Sequence, residues 1–282
     1  KGRFSLFLQE IRSGPSRVSL AFLIAASVIF IFGSRHLITR STPVVGDLVP
    51  FDLGIKGTFD LWFSSQWQTG IGYEGVHPNA LGIIGVLGIF FWGCMGFLRL
   101  VLTLGMVPIG VLGIWFLLKP FNSASMKTAG AVIYFVAPVA YQSISTGSWD
   151  GLILFGCLPW MLLFLARASR SSPFGPIGGP TSRFAFEADI FREVLTLGFI
   201  LGLVFSFSPL VLFAVTLTVV CLCVGSLVAG WKLGFSRLFL ILILSYAMAA
   251  ALNFPWILDY FFSDFSWNTI FHTRSTVAET VD

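Results

Sequence analysis

The sequence predicts an all-α, polytopic membrane protein, and its composition and apolar patterning carry that prediction. Of 282 residues, 56% are hydrophobic and 11% are charged, and the mean hydropathy is +0.89. A soluble domain typically has about 25% charged residues. The apolar runs are continuous, whereas transmembrane strands alternate every second residue, so helices are favoured. This composition excludes a nucleic-acid-binding protein, a typical soluble enzyme and a disordered chain.

Eight apolar runs are candidates for crossing the bilayer, which takes roughly 20 helical residues. Several of them are slightly short and need flanking Trp, Ser or Thr residues to complete a span. In chain order the runs are Val18–Gly33, Ala80–Leu98, Leu100–Leu118, Thr128–Gln142, Gly151–Ala166, Val194–Phe207, Pro209–Gly230 and Leu238–Leu258.

The distribution of basic residues favours about seven spans over eight. Cytoplasmic loops carry the excess of Lys and Arg. If all eight runs cross and the N-terminus is inside, only 6 of the 17 basic residues are cytoplasmic. If Ala80–Leu98 does not cross, 12 are inside and 5 outside, and 9 of the 13 acids are outside. We therefore predict seven spanning helices and one re-entrant or interfacial segment.

The segment Ala80–Leu98 is rich in glycine, which destabilises a helix by about 1 kcal/mol per residue relative to alanine. It contains Gly82, Gly85, Gly88, Gly93 and Gly96. The first three recur at every third residue, so a normal span with a glycine-lined packing face is the alternative interpretation.

This topology divides the chain into three regions. Residues 1–17 form a cytoplasmic N-terminal segment, and residues 18–258 form a membrane domain with an outer loop at 34–79 and an inner loop at 167–193. Residues 259–282 form an outer C-terminal tail. The predicted location is a multi-pass position in the plasma membrane, with the N-terminus in the cytoplasm. The first run resembles a signal peptide but has no small-x-small cleavage site, which favours a retained anchor.

The outer loop is too long to be structureless and is expected to contain helices. Within Thr58–Gln68, aromatic residues recur at spacings of three and four, which predicts an amphipathic, interfacial helix. Asp47 precedes this helix and lies between Gly46 and Pro50, in a restricted backbone about ten residues beyond the first span. Asp47 is the candidate general base, a solvated loop carboxylate being the alternative, and Asp52 and Asp60 are weaker candidates for the same role.

A second candidate position is the short turn that holds Trp149 and Asp150. A turn between two spans needs Gly and polar residues in any case, and Trp149 fits an interfacial belt, so these features favour a structural role slightly over a functional one. The four cysteines lie in apolar runs, and we predict that they are small buried hydrophobic residues rather than parts of a metal or redox site. No motif indicates a cofactor or a metal, although a divalent metal stays open.

Several short strings resemble a known family of membrane enzymes. They are Gly33-Ser-Arg-His-Leu-Ile, Val45-Gly-Asp-Leu-Val-Pro-Phe51, Gly147-Ser-Trp-Asp-Gly151, Pro159-Trp160 and Leu165-Ala-Arg-Ala168. Over roughly residues 30–170, the chain is similar to the actinobacterial-type arabinofuranosyltransferases that use decaprenyl-phosphate arabinose, within the GT-C class of membrane glycosyltransferases. Family members are much longer, so the chain is expected to be either part of a longer protein or a reduced relative.

The resemblance implies a transferase that moves a sugar from a polyprenyl-phosphate donor to a cell-envelope glycan acceptor on the outer face. Asp47 matches the acid that acts as catalytic base near the end of the first helix. The lipid phosphate needs a basic group, and the substrate-binding candidates are Arg35, Arg40, Lys56, Trp149 and Asp150.

The alternative function is a non-catalytic membrane subunit that packs against partner helices and lipid. Gly198 and Gly202 form a GxxxG pair, which suits tight helix association. A solute permease or an ion-coupled transporter is disfavoured, because no Asp, Glu, Lys or Arg was found in the middle of a predicted span.

Overall fold

The described part of the protein is almost entirely helical, as predicted. The computed structural model describes residues 17–40, 51, 53–64, 66–67, 73–74, 77–121, 124–168, 183–228 and 235–258. Most of the N-terminal segment, most of the inner loop and the C-terminal tail lie outside these residues. The helices are α1 (Arg17–Gly33), α2 (Arg35–Arg40), α3 (Gly54–Phe63), α4 (Asn79–Phe90), α5 (Met95–Leu104), α6 (Met106–Leu117), α7 (Ala124–Val136), α8 (Pro138–Thr146), α9 (Trp149–Ala168), α10 (Arg183–Phe207), α11 (Leu210–Val228) and α12 (Phe235–Leu252).

Two helices within the described residues are long and apolar enough to cross a membrane. They are Trp149–Ala168 and the Ile190–Phe207 part of α10, and α4 with α5 adds a third if that bent pair is one span. Shorter apolar helices occur at Ile24–Gly33, Met106–Leu117, Leu210–Gly225 and Arg237–Leu252. The protein is therefore helical, and its described residues include two to three segments able to span a bilayer, fewer than the seven predicted from the apolar runs.

Helix breaks account for part of this difference. The predicted run Thr128–Gln142 is divided between α7 and α8, because Ala137 has an extended ψ of 130° and Pro138 begins a new helix. The run Leu100–Leu118 is likewise divided between α5 and α6. Apolar length alone did not reveal these interruptions.

The glycine-rich segment Ala80–Leu98 does not form one straight helix. It comprises α4 and the start of α5, and the two helices meet at an angle of 114° across residues 91–94. The prediction that this segment departs from an ordinary spanning helix agrees with this bend, which is the geometry of a broken span or a re-entrant loop.

The chain divides into two compact units. The first comprises Lys1–Val49 and Arg99–Leu163, and the second comprises Pro50–Leu98 and Phe164–Asp282. In the first unit, glycines on α6 allow α9 to approach closely. A methyl group on Gly110 would lie 2.8 Å from the carbonyl oxygen of Phe155, and one on Gly113 would lie 2.8 Å from Cβ of Pro159. The indole of Trp160 donates to the carbonyl of Ile109 at 3.0 Å, which fixes the same contact.

In the second unit, α10 and α12 run parallel and pack through the GxxxG pair. A methyl group on Gly198 would lie 3.0 Å from Cβ of Met248, and one on Gly202 would lie 2.8 Å from Cδ1 of Leu252. The prediction of tight helix association at Gly198 and Gly202 is confirmed, but the partner is a helix of the same chain. On the N-terminal side of this glycine contact, Arg237 donates to Glu193 at 2.7 Å.

The second unit also contains a hairpin formed by α3 and α4. The predicted helix Thr58–Gln68 is shifted: α3 begins at Gly54 and ends at Phe63, and Gln66–Trp67 pairs as a two-residue strand with Tyr73–Glu74. Gly82, Gly85 and Gly88 are buried on α4. Trp62 lies against Gly82 and Phe59 against Gly85, so this face of α3 packs on protein rather than on lipid headgroups.

Candidate functional site

The structure does not bring all the predicted site residues together. Asp47 and Asp52 lie outside the described residues, as does the side chain of Arg40, which ends α2. Arg35 is exposed, and its guanidinium lies 4.4 Å from the ring centre of Phe32. Arg35 belongs to the first compact unit, whereas Lys56 belongs to the second.

The turn before α9 explains Trp149 and Asp150 structurally. Gly147 has a φ of 71° and ends α8 in a left-handed conformation. The hydroxyl of Ser148 accepts from the amide of Gly151 at 3.4 Å, as in a helix N-cap. Asp150 lies in the first turn of α9, where the helix dipole favours an acid. Both predicted residues are half-buried, and a helix start accounts for them as well as a substrate site does.

The exposed face of α3 carries two charged side chains. Lys56 and Asp60 are four residues apart and both are exposed, so they lie on the same face of the helix one turn apart. The opposite face of α3 is fixed on α4: a methyl group on Gly82 would lie 2.9 Å from the Trp62 indole, and one on Gly85 would lie 2.8 Å from the Phe59 ring. The two charges therefore lie on a helix that is packed closely against α4.

Polar side chains meet where α3 ends and α4 begins. The hydroxyl of Ser64 lies 3.3 Å from Nε2 of His77, which is buried. The Trp62 indole donates to the Asn79 side-chain oxygen at 3.3 Å, and the Asn79 amide donates to the carbonyl of Leu252 at 2.9 Å. Leu252 is the last residue of α12, and the carbonyls at a helix end lack intrahelical donors. Asn79 therefore joins the hairpin to the C-terminal end of α12.

A second buried polar group lies at the same end of α12. The Asn253 amide donates to the carbonyls of Gly202 and Ala249, both at 2.9 Å. The Asn253 side-chain oxygen lies 2.7 Å from the hydroxyl of Ser206. These contacts use both amide protons of Asn253 and fix the C-terminal ends of α10 and α12 together. We call the side chains of Ser64, His77, Asn79, Ser206 and Asn253 the polar end of the second unit.

One buried charge was missed by the sequence analysis. Arg99 was assigned to a loop between two apolar runs, but it lies within α5 and its exposure is 6%. Thr103, one turn further along, is fully buried on the same face, and its hydroxyl donates to the Arg99 carbonyl at 2.8 Å. The sequence did contain a signal for this burial, because Arg99 is the only residue between the apolar runs Ala80–Leu98 and Leu100–Leu118, which leaves no room for a polar loop. A buried ionisable residue in an apolar helix is a functional candidate.

Metal binding finds no support among the described residues, where no group of three His, Cys, Asp or Glu side chains converges. Glu74 and His77 do not share a helix: Glu74 lies in the two-residue strand Tyr73–Glu74, and His77 precedes α4. The four cysteines are free thiols; Cys94 and Cys221 are exposed and Cys157 and Cys223 are half-buried, so the prediction that all four are buried is wrong.

Comparisons with protein-family models, with curated proteins and with solved structures find no match to this chain.

Proposed function

We propose that this chain is a membrane-embedded glycosyltransferase that moves a sugar from a polyprenyl-phosphate donor to a cell-envelope glycan acceptor on the outer face. The observation that carries the proposal is the charged face of α3, where Lys56 and Asp60 lie one turn apart, a short distance after Asp47 in the sequence. An ammonium group can bind the donor phosphate, and a carboxylate can take the proton of an acceptor hydroxyl.

The proposed reaction is a single displacement. Asp47 takes the proton of the acceptor hydroxyl, and the oxygen of that hydroxyl forms a bond to the anomeric carbon of the donor sugar. The bond between that carbon and the phosphate oxygen breaks, and its electron pair leaves with the polyprenyl phosphate. Lys56 on α3 is the proposed cation for this phosphate. The proposal names no cofactor.

The proposed topology has seven spanning helices, an inner N-terminus and Ala80–Leu98 as a re-entrant segment. The hydrogen bond from Asn79 to the Leu252 carbonyl supports it, because this bond requires both residues to lie on the same side of the membrane. With seven spans, residue 79 and the C-terminal end of α12 are both outside. With eight spans, residue 79 is outside and the end of α12 is inside.

The alternative function, a non-catalytic subunit that packs against partner helices, loses its main sequence support. Its GxxxG pair is occupied by α12 of the same chain. The transferase therefore stays the preferred proposal.

Loss of transfer in an Asp47→Asn variant tests the proposal. We expect transfer from a polyprenyl-phosphate sugar to fall by about 10²–10⁴-fold, since the amide cannot accept the proton. Donor binding and the thermal unfolding midpoint should not change. Asp60→Asn is the matched control and should cost much less. Near-normal transfer by Asp47→Asn would refute the assignment, and a larger loss in Asp60→Asn would move the base to α3.

Thiol labelling in intact cells tests the topology. In a variant without the four native cysteines, Ser172→Cys should resist a membrane-impermeant reagent, whereas Lys56→Cys should react. Labelling of the cysteine at 172 would contradict the seven-span arrangement and restore Ala80–Leu98 as a full span.

A further inference from the structure

The helices α8 and α9 of the first unit form a hairpin whose two legs are both interrupted at the base. Ala140 on α8 and Phe155 on α9 are buried in one apolar cluster. Pro138 begins α8, where the chain leaves α7, and Pro159 lies inside α9. We call residues 138–158, between these two interruptions, the α8–α9 hairpin.

The two prolines lie at nearly the same distance from the turn that joins the legs. The helix α8 has nine residues, and the segment from Trp149 to Leu158 precedes Pro159 in α9. At about 1.5 Å per residue, the legs rise about 14 Å and about 15 Å. Proline is a common cause of a sharp bend in a helix. The hairpin therefore has a site for bending in each leg, at matching distances from its turn.

Each proline leaves one carbonyl without its helical donor. Proline has no amide proton, so the carbonyl four residues earlier receives no hydrogen bond from it. For Pro138 this is the carbonyl of Tyr134, and for Pro159 it is the carbonyl of Phe155. Phe155 is buried in a helix long and apolar enough to span a bilayer, where water does not supply a donor. The missing donors must therefore come from the protein.

Tyr134 takes part in the missing hydrogen bonds at both interruptions. Its carbonyl accepts from the amide of Ala137 at 3.2 Å, at the end of α7. Its hydroxyl donates to the carbonyl of Phe155 at 2.5 Å, and its ring is stacked on the Phe155 ring with 4.3 Å between the centroids. A tyrosine hydroxyl has one proton, and this bond uses it. Tyr134 thus links the base of one leg to the base of the other.

The helix α6 encloses this hydrogen bond from the other side. A methyl group on Gly110 would lie 2.8 Å from the carbonyl oxygen of Phe155 and 2.9 Å from Cε1 of Tyr134. One on Gly113 would lie 2.8 Å from Cβ of Pro159. The carbonyl that Pro159 deprives of its donor is therefore closely surrounded by α6 and α7, and Tyr134 is the side chain that serves it.

We propose that the α8–α9 hairpin is a hinged element that bends as one body at Pro138 and Pro159, and that the Tyr134 hydroxyl is the lock that holds it closed. A hinge needs a few positions that absorb a change of backbone angles, and the two interruptions supply them. While the hydroxyl bond is present, the base of both legs is fixed. When it is lost, the Phe155 carbonyl has no donor and both legs bend, which moves the turn at the free end furthest. This hinge is independent of the proposed transferase activity.

A distance measurement between two spin labels tests the lock. In a background with the four native cysteines replaced by alanine, Ser145→Cys carries one label near the turn and Ser125→Cys carries the other at the start of α7; both positions are exposed. In lipid nanodiscs, double electron–electron resonance should give a narrow distance distribution when Tyr134 is native. In Tyr134→Phe the distribution should be at least twofold wider. The matched control is Tyr141→Phe, which removes an exposed tyrosine hydroxyl from the hairpin itself and should leave the width unchanged.

Restoring an amide proton at position 159 separates the lock from the packing of the Tyr134 ring. In Tyr134→Phe/Pro159→Ala, the backbone amide at 159 can donate to the Phe155 carbonyl, so the distribution should be narrow again. An unchanged width in Tyr134→Phe, or a wide distribution in the double variant, would overturn the proposal. If Tyr134→Phe alone gives no folded protein, the double variant should fold and give the narrow distribution. A double variant that is equally unfolded would also overturn it.

Discussion

Two helix pairs in the second unit use glycine for close approach but are secured differently. In the α3–α4 hairpin, aromatic rings lie on Gly82 and Gly85, and Asn79 adds a polar link to α12. In the α10–α12 pair, the glycines contact aliphatic side chains, with an ion pair toward one end and the Asn253 hydrogen bonds at the other. We infer from the comparison that α10 and α12 form a stable body, and that the hairpin is closed mainly by side-chain packing and is linked to this body through Asn79.

Removal of the ion pair should have the largest effect on the α10–α12 pair. The Arg237 side chain is 8% exposed and that of Glu193 is 25% exposed. Glu193→Leu leaves the guanidinium buried without this partner, and we expect a loss of about 2–3 kcal/mol, less than for a fully buried pair. Unfolding by SDS in mixed micelles measures it. The double variant Glu193→Leu/Arg237→Met should recover most of the loss; no recovery would mean that the pair is not the cause.

Filling the glycine face should have the next largest effect, and it acts on the hairpin. A methyl group at Gly85 would lie 2.8–3.1 Å from the Phe59 ring, so Gly85→Ala should destabilise the hairpin by about 1–2 kcal/mol. Gly96 on α5 has no atom within 4 Å of that position. Gly96→Ala should therefore be neutral or stabilise by up to about 1 kcal/mol, through helix propensity. Thermal unfolding in detergent measures both, and equal shifts would contradict the packing described here.

Two buried serines near the end of α10 sharpen the comparison further. Ser206 contacts Asn253, whereas the hydroxyl of Ser208 is buried and makes no hydrogen bond within the described residues. Ser206→Ala should cost about 1 kcal/mol because the Asn253 oxygen loses a donor. Ser208→Ala should be neutral or stabilising. Equal losses in SDS unfolding would show that the Asn253 contacts contribute nothing measurable.

Periodic features of this fold could be predicted from the sequence, and pairings between distant residues could not. The third-residue spacing of Gly82, Gly85 and Gly88 indicated a packing face, and the glycine content of the segment indicated a departure from a straight span. The structure has both features: the three glycines are buried, and the segment bends by 114°. Aromatic spacing predicted α3 but placed its end too late, because an aromatic residue at 67 continues the period after the helix has ended. The pairing of Glu193 with Arg237 joins residues 44 positions apart, so no local sequence pattern predicts it. The burial of Arg99 depends on which helices pack around it, and the sequence alone does not give that packing.

The smallest expected effect concerns the attachment of the hairpin to α12. Asn79→Ala removes the hydrogen bond to the Leu252 carbonyl and the acceptor for the Trp62 indole. Asn79 is the first residue of α4, so alanine is tolerated by the helix, and we expect a loss of about 0.5–1 kcal/mol. Because the bond lies at the edge of a packed surface, the loss should be local. Hydrogen exchange at the start of α4 should accelerate by up to about fivefold, while exchange in α10 should not change.

Lys56→Ala, on the exposed face of α3, is the control and should alter neither exchange rate. Faster exchange throughout α10 and α12 would mean that Asn79 supports the whole unit, and the distinction between a stable body and an attached hairpin would then be wrong.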